Sequence, residues 1–139
     1  MWRHVLMAAV ISGCAATPGK LREATTARYQ ANPQALLRAA MAAVEDSEYE
    51  IVQRGDWAFA AVPIEYLSGP NGRDNVLATA YVVRVEPSDA GFRFTVTPRG
   101  YAYARGLTQD VDVLDASVDN RIDELTVAIH ERASGMLAR

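Results

Sequence analysis

Apolar residues recur along this chain in two rhythms, and the change from one to the other divides it into elements. Leu36, Leu37, Ala40, Met41 and Val44 stand at helical spacing and form a single stripe. Asn32 is placed to cap that stripe, and Pro33 occupies the first helical position, where its missing N–H costs nothing. A helix is therefore predicted from residue 32 to near Ser47. Beyond it the period falls to two. Strands are predicted over 49–54 and 57–64, joined by a tight turn at Gly55-Asp56. In the second, Trp57, Phe59 and Ala61 share one face while Ala58, Ala60 and Val62 share the other, so both faces are largely apolar, as in a central strand. Turn residues crowd 68–75, and a strand follows over 76–86 with Leu77, Tyr81, Val83 and Val85 in phase. After a turn at 87–91, Phe92, Phe94 and Val96 alternate against Arg93, Thr95 and Thr97. Pro98 and Gly100 interrupt the approach to a further strand at 101–105. Val118, Ile122, Leu125, Ile129 and Met136 then mark a long amphipathic helix over 117–137.

The order helix, four or five strands, helix predicts an α+β fold. Its expected form is a two-layer sandwich over 32–139: an antiparallel sheet of four to five strands with an N-terminal helix and a long C-terminal helix on one face.

The first residues follow neither rhythm. A short basic start, Met1 to His4, leads into the apolar run 5–11, far short of the roughly 20 residues a membrane-spanning helix needs but suited to an export signal. Ile11-Ser12-Gly13-Cys14 closes the run and resembles the lipobox of bacterial lipoproteins. The resemblance implies that residues 1–13 are a removable signal whose Ile11, Ser12 and Gly13 are read by the signal peptidase. It also implies that Cys14 carries the acyl groups that attach the protein to a membrane. Two or three chains hold where one is marginal, at about 0.8 kcal/mol per buried methylene. In that family the residue after the cysteine directs sorting, and Ala15 implies the outer membrane, facing the periplasm. Cys14 is the only cysteine, so no intrachain disulfide forms. The competing reading is ordinary small-x-small cleavage near Cys14-Ala15-Ala16, which releases a soluble secreted protein. Residues 14–31, rich in Ala and Thr with a weak stripe, are expected to form a flexible tether reaching up to about 50 Å from the bilayer.

The element order behind the lipobox is similar to that of BamC-like envelope lipoprotein domains, small sheets flanked by helices. That likeness implies a protein partner in the cell envelope and transfers no functional residues.

Composition agrees with one packed domain: 139 residues, half of them apolar and 22% charged. The net charge of −3 becomes −4 without Arg3, because 13 basic residues then face 17 acidic ones. Such a surface attracts no nucleic acid. All basic residues but Lys20 are arginine, which a genomic codon bias explains.

No catalytic set emerges, so a non-enzymatic protein without metal or cofactor is expected. Once residues 1–13 are removed His130 is the only histidine, and with no second His or unacylated Cys for a zinc site it is expected to be an exposed helical residue. Asp110, Asp112, Asp115, Asp119 and Asp123 lack calcium-loop spacing and suit a helix N-terminus, with Asp115 or Ser117 as cap. Arg54-Gly55-Asp56 spells an adhesion tripeptide but has a turn role. A hydrolase built from carboxylates alone, such as Glu65 with Asp74, has no support in the spacing. The most specific set is Arg99, Tyr101, Tyr103 and Arg105, which as alternate strand residues form a stripe of two aromatics between two guanidinium groups. If the phase of Phe92, Phe94 and Val96 runs on, they lie on the polar face; a bulge at Pro98 or Gly100 would turn the tyrosines inward. The loop 65–75 is a second candidate contact surface. Function is thus expected to be that of a membrane-anchored envelope lipoprotein, a binding or assembly-accessory module. The alternative is a periplasmic binder of small ligands or cell-wall fragments, with a cleft beside Tyr101 and Tyr103.

Overall fold

The computed structural model describes residues 17–67, 77–102, 106–107 and 116–138, so the signal and lipobox residues, Cys14 included, lie outside the described residues. Helix α1 (Pro18–Thr26) comes first, with Thr17 as cap: its Oγ1 accepts the Lys20 N–H at 3.2 Å, and Pro18 fills the first position. Helix α2 (Pro33–Asp46) repeats the device, Asn32 Oδ1 accepting the Ala35 N–H at 2.7 Å. It ends where expected, at Ser47. Glu48 comes next in the left-handed region with φ 68°, and its carbonyl accepts the Ile64 N–H at 3.0 Å.

Strands β1 (Tyr49–Arg54), β2 (Ala58–Pro63), β3 (Leu77–Ser88), β4 (Gly91–Ala102) and the two-residue β5 (Gly106–Leu107) form one antiparallel sheet in the order β1-β2-β3-β4-β5. A 3-10 turn, Ile64–Leu67, succeeds β2. Helix α3 (Ala116–Ala133) runs beside α2, both packed on one face of the sheet, and α1 packs on α3. This is the expected α+β sandwich. Leu36, Leu37 and Val44 of α2 and Leu125 and Ile129 of α3 meet Phe59, Tyr81, Val83 and Val85 from the sheet. Leu36 has no exposed surface, so its burial contributes about 2–3 kcal/mol.

Three expectations are corrected. First, β4 is not interrupted: its register with β3 runs from Ser88↔Gly91 to Leu77↔Ala102 without a shift. Pro98 is tolerated because β5 pairs only with Tyr101 and Ala102, which leaves β4 an edge strand at Pro98. Second, with α3 starting at Ala116, Ser117 lies in its first turn and is not the cap; Asp115 lies outside the described residues.

Third, the segment expected as a tether through residue 31 holds α1 and a core residue. Tyr29 is fully buried and forms antiparallel bridges to Phe92 on one side and Leu137 on the other. Its N–H donates to Phe92 O at 2.8 Å and its carbonyl accepts the Phe92 N–H at 2.9 Å, while Ala138 N–H donates to Arg28 O at 2.9 Å. The contact is close because residue 91 is glycine. A Cβ there would stand 2.3 Å from the Tyr29 carbonyl oxygen, and the φ of 135° is itself unsuited to a side chain.

The sheet is also strongly curved. β1 and β5 lie at opposite edges, yet a Cβ on Gly106 would come within 4.0 Å of Gln53 Oε1. The sheet therefore curls around the face turned away from the helices. That concave face holds small residues, Ala58, Ala60, Ala78, Ala80 and Val82, which let the strands bend inward, and a register shift between Ile51 and Gln53 adds to the curvature.

Gly91→Ala is expected to destabilise the fold by on the order of 2–4 kcal/mol, since Tyr29 must leave its place. A thermal midpoint equal to that of the wild type would disprove the close approach. Glu48→Gly is expected to raise stability by about 0.5–1 kcal/mol in denaturant titration, because glycine carries no left-handed penalty.

Candidate functional site

The concave sheet face carries a cleft of about 440 Å³. Gln53 faces Ala60 across β1 and β2, and Arg84 of β3 lies opposite Ala58 on one side and Thr95 on the other. Arg99 of β4 lies opposite Ala80, on the same face. Arg54 and Gly55 border the cleft where β1 turns, and Gly106 borders it where β5 comes across. Ala58, Ala60 and Val82 contribute an apolar floor. Arg84, Arg99 and the Gln53 amide thus share the face of these small apolar side chains, with Arg54 at the rim and no carboxylate among the described lining residues. Arg54 and Arg84 are exposed and, among the described residues, their side chains make no hydrogen bond or ion pair. Glu86, further along β3, is committed to Arg93 at 3.1 Å.

Only part of the expected stripe reaches this site. Arg99 lines the cleft, while Tyr103 and Arg105 lie outside the described residues. Tyr101 is 6% exposed and packs with Val62 and Ala80 in a small second core on the concave face. The unbroken β4 register does put it on the face of Arg93 and Thr97, as the phase required. At that position the face is enclosed, so the Tyr101 ring is core and offers no stacking surface. Arg84, Arg54 and Gln53 escaped the sequence reading. The available signal was Arg84 itself, which ends the small apolar series Ala78, Ala80, Val82 on one face of β3.

A second constellation lies where α1 meets α3. His130 is buried, not exposed as expected, and its Nδ1 lies 2.7 Å from the Tyr29 hydroxyl. Its Nε2 lies 3.2 Å from Glu23 Oε1. With Nε2–H donating to that carboxylate, Nδ1 accepts the Tyr29 O–H, and both ring nitrogens and the phenol are satisfied. Burial, and secondarily the charge of Glu23, pushes the Tyr29 hydroxyl up to about 12. A phenol so held keeps its proton and is no nucleophile; the trio ties α1 and the Tyr29 segment to α3. Glu23 and His130 also line an open cleft of about 470 Å³ with Thr26, Arg28 and Leu137.

The other candidates have structural roles. Gly55 N–H donates to Ala58 O at 2.8 Å, closing the β1–β2 turn within the Arg-Gly-Asp tripeptide. Glu65 accepts from Arg121 at 2.7 Å, and Asp74 lies outside the described residues, as does most of the loop 65–75. Among the described residues no three His, Cys, Asp or Glu side chains are grouped to hold a metal ion, and no helix is long and apolar enough to cross a membrane. No protein-family model, curated protein or solved structure matches the chain.

The Tyr29 hydroxyl sets an alkaline limit. Its folded value near 12 lies above the ordinary 10, so its contribution is complete below about pH 10 and is lost as pH rises through about 12. Tyr29→Phe is expected to lose about 1–2 kcal/mol at neutral pH, where His130 gives up its partner. The same variant should show a shallower fall in stability between pH 10 and 12. Urea unfolding of both proteins across that range checks the two effects together.

Proposed function

We propose that this chain is a lipid-anchored envelope lipoprotein whose folded part is a non-enzymatic binding or assembly-accessory module at the outer membrane, facing the periplasm. The observation that carries the proposal is Ile11-Ser12-Gly13-Cys14 at the end of a short apolar run. Ala15 after the cysteine supports the outer membrane as its address. A protein partner in the envelope fits an anchored module of this size, and no catalytic constellation stands among the described residues.

The fold sharpens what anchoring would mean. Thr17, the cap of α1, is only three residues past Cys14. At roughly 3.3 Å per residue the start of α1 is held within about 10 Å of an acylated Cys14. The domain then works at the membrane surface instead of on a long tether. The small-ligand alternative keeps one point in its favour: the arginine cleft has a volume usual for small-molecule sites, roughly 300–1,000 Å³. The buried Tyr101 does not support its aromatic-stacking form.

Cys14→Ser is expected to abolish acylation and cleavage before residue 14, leaving an uncleaved or soluble protein whose domain still folds. Membrane fractionation with mass spectrometry of the N-terminus checks this. A variant processed normally and retained in the detergent-soluble membrane fraction would overturn the lipoprotein reading.

A further inference from the structure

We propose that the cleft on the concave sheet face binds a small organic anion, gripped through a carboxylate or phosphate group by Arg84 with Arg54, Arg99 and Gln53. The inference rests on the reading of the domain as a binding module and gives that module a ligand class.

Charge is the first argument. The chain is acidic overall, at −3, yet the described lining of this one cleft includes Arg84 and Arg99 on the concave face, Arg54 at its rim and no carboxylate. Like charges gathered in one concavity repel each other unless an anion joins them. Nothing within the described protein plays that part for Arg84 or Arg54, whose side chains make no ion pair or hydrogen bond. Three arginines outside the cleft are matched to carboxylates: Arg93 holds Glu86 further along the same face, Arg121 holds Glu65 and Arg132 holds Asp46. Arg84 and Arg54 at the cleft have no such match among the described residues.

Shape is the second argument. Ala58, Ala60 and Val82 make a floor of small apolar side chains that offers no competing hydrogen bond. Such a floor strengthens a charge-assisted hydrogen bond made above it, because less water screens the pair. Gly106 keeps the far wall thin, since a Cβ there would already approach the Gln53 amide to 4.0 Å. The planar guanidinium fork matches an oxyanion in two parallel hydrogen bonds, and Gln53 adds an amide donor beside it. The volume, about 440 Å³, suits a small molecule and is too little for a folded partner.

The test is a titration of the full chain, isotope-labelled, with sodium phosphate and separately with sodium acetate, ionic strength being held constant with chloride. Arginine Nε–H signals and the amides of Ala58, Ala60 and Val82 are followed by nuclear magnetic resonance. Saturable shifts confined to the cleft are expected. Arg84→Gln should weaken them tenfold or more without changing the thermal midpoint, since Arg84 is exposed. Arg84→Lys, which keeps the charge but not the fork, should fall between, and Arg38→Gln on the outer side of α2 should bind as the wild type does. A parallel arm measures co-sedimentation with phosphatidylcholine vesicles, with and without phosphatidylglycerol. Arg84-dependent binding of free phosphate or acetate supports a soluble anion. Arg84-dependent binding only to phosphatidylglycerol vesicles supports the same oxyanion presented as a lipid headgroup. Shifts spread over all arginines, shifts that survive Arg84→Gln, or no saturable response in either arm overturn the proposal. None of these results depends on Cys14, so failure here and failure of the lipoprotein reading are told apart.

Discussion

Tyr29 joins three distant parts of the chain through one residue. Its backbone bonds to Phe92 on the edge of β4 and bridges Leu137 after α3, and its hydroxyl meets His130 within α3. Each of these bonds is worth only about 1 kcal/mol net. Their joint effect is larger, because one ordered residue closes contacts with segments 63, 101 and 108 positions away, and loop-closure entropy rises only slowly with such length. Helix α1 depends on that clasp. It has nine residues and buries only Ala24, far too little to persist alone. The Tyr29 segment at its C-terminal end keeps it in place, together with Glu23 on His130 and the exposed pair Lys20–Glu131 at 3.3 Å. The exposed pair adds little by itself.

The clasp was also the least legible part of the sequence. Helix α2 could be read to the residue, because cap, proline and apolar stripe all point the same way and tertiary contacts only reinforce them. The strands could be read from their alternation, and β2 was rightly seen as apolar on both faces. Tyr29 belongs to no period. A one-residue bridge leaves no alternation, and its partners are set by tertiary packing. A trace was present all the same: Thr17-Pro18 repeats the cap-and-proline pattern of Asn32-Pro33. His130 and Tyr29, each between polar neighbours or helical charges, are two halves of a buried pair, and each half alone resembles a surface residue.

The candidate site was hidden for a related reason. Strand periodicity says which residues share a face but not whether that face is open. Arg99 and Tyr101 were correctly placed on one face, and the curl then gave them opposite fates, one lining a cleft and the other buried with Val62 and Ala80. Arg84 and Gln53 lie far apart in sequence and meet only through the β1–β2–β3 register.

Edge protection and cleft formation follow from a single constraint. A sheet of this length would expose β4 as a pairing edge, which invites association with other chains. Here the Tyr29 segment covers one end of that edge, β5 covers the other, and Pro98 lacks a donor between them. The bend brings β5, paired to β4, across toward Gln53 of β1. That bend also removes Val62 and Ala80 from water, with about 1.5–3 kcal/mol at stake for the valine alone. Flattening the sheet would therefore open the second core and separate Gln53 from Gly106 and the cleft arginines at once. The curl that encloses the second core is the shape that brings Arg84, Arg99 and Gln53 around one cleft.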